Sequence, residues 1–269
     1  MLNALIVVWR ESLEAMLVVG VLLAWIARQP EPEQLRRAVW SGLTVGVGLA
    51  VVLAWITFAV QSQFAGESLE IFQLAMVLFA AALIVQMVFW MHRHGRHMKR
   101  ELETQAEQAR GTLGIAAITA LAVAREGAET VVFLYGLGLE ADGGALASLL
   151  LAAASGLLLA GLTAWLVARG ARFLNYRTLF RVSEIMLLVI AGALLAGGID
   201  RMTSLDWLPS LVDPVWDSSA IVDDAAGAGR LLADFLGYRS RPTGVLLIVL
   251  VAYWSWVLWR LRRMETRAA

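Results

Sequence analysis

The sequence predicts an all-α polytopic membrane protein of seven transmembrane helices: an inverted 3+3 repeat plus one additional helix, N-terminus outside and C-terminus inside. Three observations predict it. Of the 269 residues 59% are hydrophobic and 16% charged, where soluble domains run to about 45–50% and 25%. Most of the apolar residues fall in runs long enough to cross a hydrocarbon core of about 30 Å. Lys and Arg gather in alternate connections, and one charged motif occurs twice.

The runs place the spans at Leu2–Ile26, Ala38–Val60, Leu69–Met91, Leu113–Leu139, Ala145–Ala168, Leu174–Ile199 and Gly244–Leu261. The first has no basic segment ahead of it and carries charge in its middle, so it is expected to stay as a helix rather than act as a cleaved signal. Arg28, Arg36 and Arg37 follow the first span, and Arg93, Arg96, Lys99, Arg100 and Arg110 the third. Arg169, Arg172, Arg177 and Arg181 follow the fifth, and Arg260, Arg262, Arg263 and Arg267 the seventh. The connections after the second and fourth spans hold no Lys or Arg. Positive residues mark the cytoplasmic side, and only an odd number of spans satisfies this alternation.

The organisation follows. Residues 1–92 are the first three-helix repeat, 93–110 a cytoplasmic basic linker and 111–199 the second, inverted repeat. Residues 200–242 are an outer-face acidic loop, and 243–269 the seventh helix with a basic cytoplasmic tail. The outer side holds Glu67, Glu70, Glu140, Asp142, Asp200, Asp206, Asp213, Asp217, Asp223, Asp224 and Asp234 against four arginines, a balance of −7. Such a field would concentrate cations at a pathway mouth; a solvated loop obeying the positive-inside bias reads equally well. The chain has no Cys, which excludes disulfides and thiolate metal sites. No nucleic-acid partner is expected.

The repeat rests on Arg10-Glu11-x-x-Glu14 and Arg125-Glu126-x-x-Glu129, 115 residues apart and each near mid-span. Gly46 and Gly156, and Trp55 and Trp165, echo it at an offset of 110. Transporters built on inverted repeats place their site at the midplane between the halves. Gly42 with Gly46, and Ala152 with Gly156, are small-xxx-small pairs suited to close helix packing.

Buried charge is costly, at about 2.5–3.5 kcal/mol per central Asp, Lys or Arg. Three such groups in one helix therefore cost roughly 7–10 kcal/mol unless they find partners. Glu11 and Glu14 share a helix face, as do Glu126 and Glu129, and each Arg reaches the Glu four residues on. If the two faces meet, four carboxylates converge beside two guanidiniums and the ionised cluster carries −2, which one divalent cation would neutralise. An interhelical salt-bridge network is the structural alternative, but it leaves two carboxylates in surplus, and intramembrane ionisable groups are functional by default. Oxygen ligands suit hard cations. They do not separate iron from manganese, magnesium or protons, so the residues alone point to a cation pathway. An intramembrane enzyme is disfavoured, because Ser12 and Thr130 are the only hydroxyls near the motifs and no histidine lies at that depth.

The chain resembles the oxidase-dependent iron permease family, which includes fungal high-affinity and bacterial EfeU-like iron permeases. The resemblance lies in the two motifs, RESLE and REGAE, and in Phe89-Trp90-Met91. It extends to Leu208-Pro209, Trp216-Asp217-x-Ser219, and Gly237-Tyr238 followed by Arg241-Pro242. It implies iron import across the cytoplasmic membrane, with Glu11, Glu14, Glu126 and Glu129 handling the metal and Arg10 and Arg125 orienting them or balancing charge. It also implies a separate outer-face oxidase or iron-delivery protein, no permanently bound cofactor and no enzymatic activity. Ser12 stands where the family commonly has Gly. Lead or manganese is an alternative substrate, and proton-coupled organic-cation transport an alternative activity.

Other residues are weighed on the same terms. Glu184 is an exit ligand, a proton site or a partner for Arg181 three residues earlier. Asp217 is the acid of the outer loop best placed to receive a cation. His92, His94 and His97, among Arg93, Arg96 and Lys99, read as a lipid-facing basic segment rather than a metal site. Trp40, Trp90, Trp254, Trp256 and Trp259 read as interfacial anchors. Trp9 is expected to wall the pathway, Trp207 and Trp216 to pack a lid, and residues 101–110 to form a short polar surface helix.

Overall fold

The structure is a computed structural model, described over residues 2–94, 98–109, 111–138, 145–169 and 176–268. Arg96, His97, Arg110, Glu140, Asp142 and Arg172, all named above, lie outside the described residues. The described secondary structure is helical: α1 (Leu2–Ile26), α2 (Pro32–Gln61), α3 (Glu67–His94), α4 (Met98–Gln108), α5 (Gly111–Gly138), α6 (Ala145–Ala168), α7 (Tyr176–Ser204), α8 (Gly227–Leu236) and α9 (Gly244–Ala268). Seven of these are long and coincide with the seven expected runs. The two short ones, α4 and α8, lie in the connections.

Local chemistry sets several boundaries. α2 begins six residues before its apolar run because Pro32 opens its first turn, where the missing N–H costs nothing, and Glu33 complements the helix dipole. α8 ends on Gly237 at φ +70°, a left-handed cap whose N–H returns to the Ala233 carbonyl. α4 is the expected polar helix; it buries Leu102 and Ala106 against Leu22 and Ile26 of α1, and Arg28 reaches Glu103 at 2.7 Å.

Among the described residues, five helices are long and apolar enough to cross a membrane, those within α2, α3, α6, α7 and α9. The other two long ones, α1 and α5, each carry an Arg and two Glu in an otherwise apolar helix. Large apolar side chains face outward in quantity, among them Val51 and Trp55 of α2, Leu151 and Leu158 of α6, and Val251 of α9. That surface is wrong for water and right for lipid.

The long helices pack in a reciprocal pattern. α2 lies along α5 and α6 along α1, while α3 meets α7 and α1 meets α5. Val7, Ile84, Phe133, Leu187 and Ile190, from α1, α3, α5 and α7, fill the common core. The small residues permit the closest approaches: Gly42 and Gly46 sit against the Ala116 and Ala120 carbonyls of α5, and Gly156 against the Leu5 carbonyl of α1. A Cβ on Gly156 would come within 2.7 Å of that oxygen and 3.0 Å of the Trp9 nitrogen. Both are backbone atoms that cannot swing aside. Gly156→Leu is therefore expected to destabilise the protein by at least about 1–3 kcal/mol in detergent unfolding. Gly48→Leu, with nothing within 4 Å of its new Cβ, is expected to be neutral.

Residues 205–243 fold back as a cap. Val215 N–H donates to the Pro242 carbonyl, Ser218 N–H to the Ser240 carbonyl and Gly244 N–H to the Val212 carbonyl. Arg239 pairs with Asp200 at the end of α7, Gly237 rests on Ala193, and Asn3 donates to the Asp234 carbonyl. Trp207 and Trp216, expected to pack this lid, are instead exposed on it.

Candidate cation site

α1 and α5 meet at the two charged motifs. Arg10 is fully buried, 1% exposed, and its guanidinium is shared three ways. Nη1 donates to Glu11 Oε1 and to the Met87 sulfur of α3, both at 2.9 Å. Nη2 lies 2.5 Å from Glu14 Oε1, an ion pair four residues apart along the helix. On α5, Arg125 Nε donates to Glu129 Oε1 at 3.1 Å and lies 3.8 Å from Glu126 Oε1. Its guanidinium covers the Trp90 ring at 4.6 Å, and its side chain is 45% exposed. Two motifs of one pattern thus have unequal surroundings: one arginine is sealed, the other open on one side.

Of the four glutamates, Glu11, Glu126 and Glu129 present carboxylate oxygens that lie within 4.8 Å of one another. Glu14 is outside this trio and is paired with Arg10. Opposed oxygens around an ion at about 2.0–2.4 Å are about 4–5 Å apart, so this trio has the span of a coordination shell. In addition, Glu11 Oε2, Glu126 Oε2 and Glu129 Oε2 are buried and accept no hydrogen bond from the described residues. Buried carboxylate oxygens rarely go unused, and a hard cation is the partner their chemistry suits.

Glu184 of α7 lies near enough to Glu14 for their charges to interact. Its contact is His92 Nδ1 at 3.4 Å, from α3, rather than Arg181 along its own helix. His92 therefore turns toward α7 on one side. Trp90, expected at an interface, also carries the Arg125 guanidinium on its ring. Met87 was not singled out in the sequence at all: an apolar residue in an apolar run gives no sign that its sulfur meets a guanidinium. Trp9, beside the motif, turns to α6 and donates to Thr163 Oγ1 at 3.2 Å.

Asp217 belongs to the cap. Its Oδ1 accepts from the Ser219 hydroxyl at 2.6 Å and amide at 3.0 Å, and its Oδ2 pairs with Arg241 at 2.8 Å. The Ser219 bonds first, and then Arg241, hold its carboxyl at about 2, below the usual 3.8. A depressed value means that these contacts add stability above the ordinary carboxylate range and lose it only as pH falls toward 2. For Asp224, burial pulls upward, but the Ser240 hydroxyl and amide outweigh it and leave the carboxyl lowered. Because Asp217 is committed to the cap, Asp217→Asn is expected to change cation flux by less than about threefold, the scale of an exposed ion pair.

The model of the iron permease FTR1 family matches residues 1–261. The chain belongs to the iron permease FTR1 family. Among its relatives is the ferrous iron permease EfeU of Escherichia coli O6:H1, 26% identical over 243 residues, covering 88% of this chain and 87% of the relative. EfeU of Yersinia pestis is 27% identical over 248 residues, with 88% and 85% covered. EfeU of Yersinia pseudotuberculosis serotype I is also 27% identical, with 88% and 84% covered. No solved structure matches. The family is one of membrane permeases, not of enzymes, and both motifs lie within the matched segment.

Proposed function

We propose that this member of the family imports iron ions across the cytoplasmic membrane through a midplane site built from its two Arg-Glu-x-x-Glu motifs. Iron is the substrate in the names of its EfeU relatives. The observation that carries the reading is the trio Glu11, Glu126 and Glu129, drawn from both motifs, with carboxylate oxygens within 4.8 Å of one another and one oxygen on each that has no partner among the described residues. Arg10 and Arg125 orient the carboxylates and balance their charge. Glu14 follows the trio inward, and Glu184 with His92 forms the exit. Asp217 acts at the entrance by shaping the cap rather than by ligating.

In this reading all seven long helices span the membrane, with the N-terminus outside and the C-terminus inside, and the second half repeats the first in inverted form. The two halves are α1 to α3 and α5 to α7, and α9 is the additional helix. Reciprocal packing supports the repeat: the second helix of each half lies on the first of the other, through Gly46 in one case and Gly156 in the other. A separate outer-face oxidase or iron-delivery protein supplies the metal above the cap.

The test is competitive metal uptake in proteoliposomes, comparing wild type with Glu129→Gln. Iron flux is expected to fall about tenfold or more, as one charged ligand is worth on the order of 1.4 kcal/mol or more. Unchanged flux from folded variant would return the glutamates to structural pairing. Manganese or lead outcompeting iron would reassign the substrate and keep the site.

A further inference from the structure

A second feature lies outside the motifs. A groove of about 590 Å³ runs between α3, α7 and α9. Its walls are apolar, chiefly Ala82, Val85, Phe89, Leu195, Tyr253 and Trp256, and its one end carries Arg93 and Arg260. From Leu78 to Arg93 it follows α3 for about 22 Å at 1.5 Å per residue, somewhat more than one leaflet of a core about 30 Å thick. Phe89 and Trp256 meet edge to face at 5.3 Å, and Tyr253 donates to the Leu188 carbonyl at 2.7 Å, so the walls are braced. Trp256 of its lining is 48% exposed, so the groove opens at the outer surface of the helices, and Ile248, Val251 and Leu258 continue that apolar surface around α9.

The charge is confined to one end. Among the described residues no carboxylate pairs with Arg93 or Arg260. Trp259 lies beneath Arg263 at the same end of α9, a pairing suited to the headgroup level. An apolar slot of acyl-chain length that ends in two unpaired guanidiniums complements one amphiphile in both its parts. We infer that this groove binds an anionic phospholipid, its acyl chain along α3 and its phosphate between Arg93 and Arg260. The lipid comes from the leaflet that holds these arginines, the cytoplasmic one in the orientation proposed above. Trp90 lines the groove and also carries the Arg125 guanidinium on its ring, so the bound chain packs against a residue that touches the cation site.

Native mass spectrometry of the purified full chain tests this, with dioleoyl phosphatidylglycerol and dioleoyl phosphatidylcholine added in equal amounts. Phosphatidylglycerol is expected to be retained about tenfold over phosphatidylcholine, and Arg93→Gln with Arg260→Gln to bring the ratio near one. Ala82→Trp keeps both arginines but fills the slot, and is expected to reduce retention of both lipids. Equal retention by wild type overturns the inference, as does an unaltered ratio in the double variant or full retention by Ala82→Trp. It is also overturned if glycerol 3-phosphate displaces the lipid at equal concentration, or if a second copy of the chain covers the groove in cross-linked protein.

Discussion

Changing Glu11, Glu126 and Glu129 together to Gln is expected to lower iron flux in proteoliposomes by at least about a hundredfold. Glutamine matches glutamate in size and retains one carbonyl oxygen, so what is lost is chiefly charge. With an effective dielectric near 20, a pair of unit charges 4 Å apart interacts by about 4 kcal/mol. Removing three anions around a divalent ion therefore exceeds the roughly 2.8 kcal/mol that a hundredfold requires. The Oε2 of each has no other partner among the described residues, so no neighbouring group takes its place. Glu14→Gln is expected to cost less, about tenfold, because Arg10 already neutralises that carboxylate. The order matters as much as the size: if Glu14→Gln proved worse than the triple variant, the ion would bind beside Arg10 and not among the trio. Elution of each variant as folded protein separates lost transport from lost structure.

The long helices were legible because an apolar run declares itself residue by residue. α1 spans Leu2–Ile26 and α6 Ala145–Ala168, as the runs predict. The sequence leaves open whether the two motif faces meet; α1 meets α5, and oxygens of Glu11, Glu126 and Glu129 lie within 4.8 Å of one another. What stayed hidden depends on neighbours distant in sequence. Arg10 and Arg125 occupy identical motif positions, yet only the first has Met87 and a sealed pocket around it. Spacing along one helix suggested Arg181 for Glu184, but the partner came from α3 as His92. Trp90 illustrates the same limit, since composition places tryptophans at interfaces and only packing shows a guanidinium on the ring. The cap was read as an acidic loop. Its stitching by Ser218, Tyr238, Ser240 and Asp224 is side-chain chemistry without periodicity, which a reading by hydropathy does not detect.

Arg10→Gln is expected to be the most destabilising single change in the motifs, by about 3–5 kcal/mol in detergent unfolding. The reason is not the loss of an attractive pair but what remains: Glu11 and Glu14, 1% and 2% exposed, are left buried without their cation. Lysine is not expected to rescue, because one ammonium cannot reach Glu11, Glu14 and the Met87 sulfur as the planar guanidinium does. Arg125→Gln should cost less stability, since that side chain is 45% exposed and the glutamates it leaves behind are less enclosed than Glu11 and Glu14. The deciding variant is Arg10→Gln with Glu14→Gln, which removes the cation together with one of its anions. If the cost of Arg10→Gln is uncompensated charge, the double variant regains stability and the two changes couple by more than about 1 kcal/mol. If Arg10 acts instead by filling space against Met87, the double variant is no more stable than the single one. An Arg10→Gln protein that unfolds at the wild-type midpoint would refute both, and would mean that the carboxylates take up protons at little cost when the guanidinium is gone.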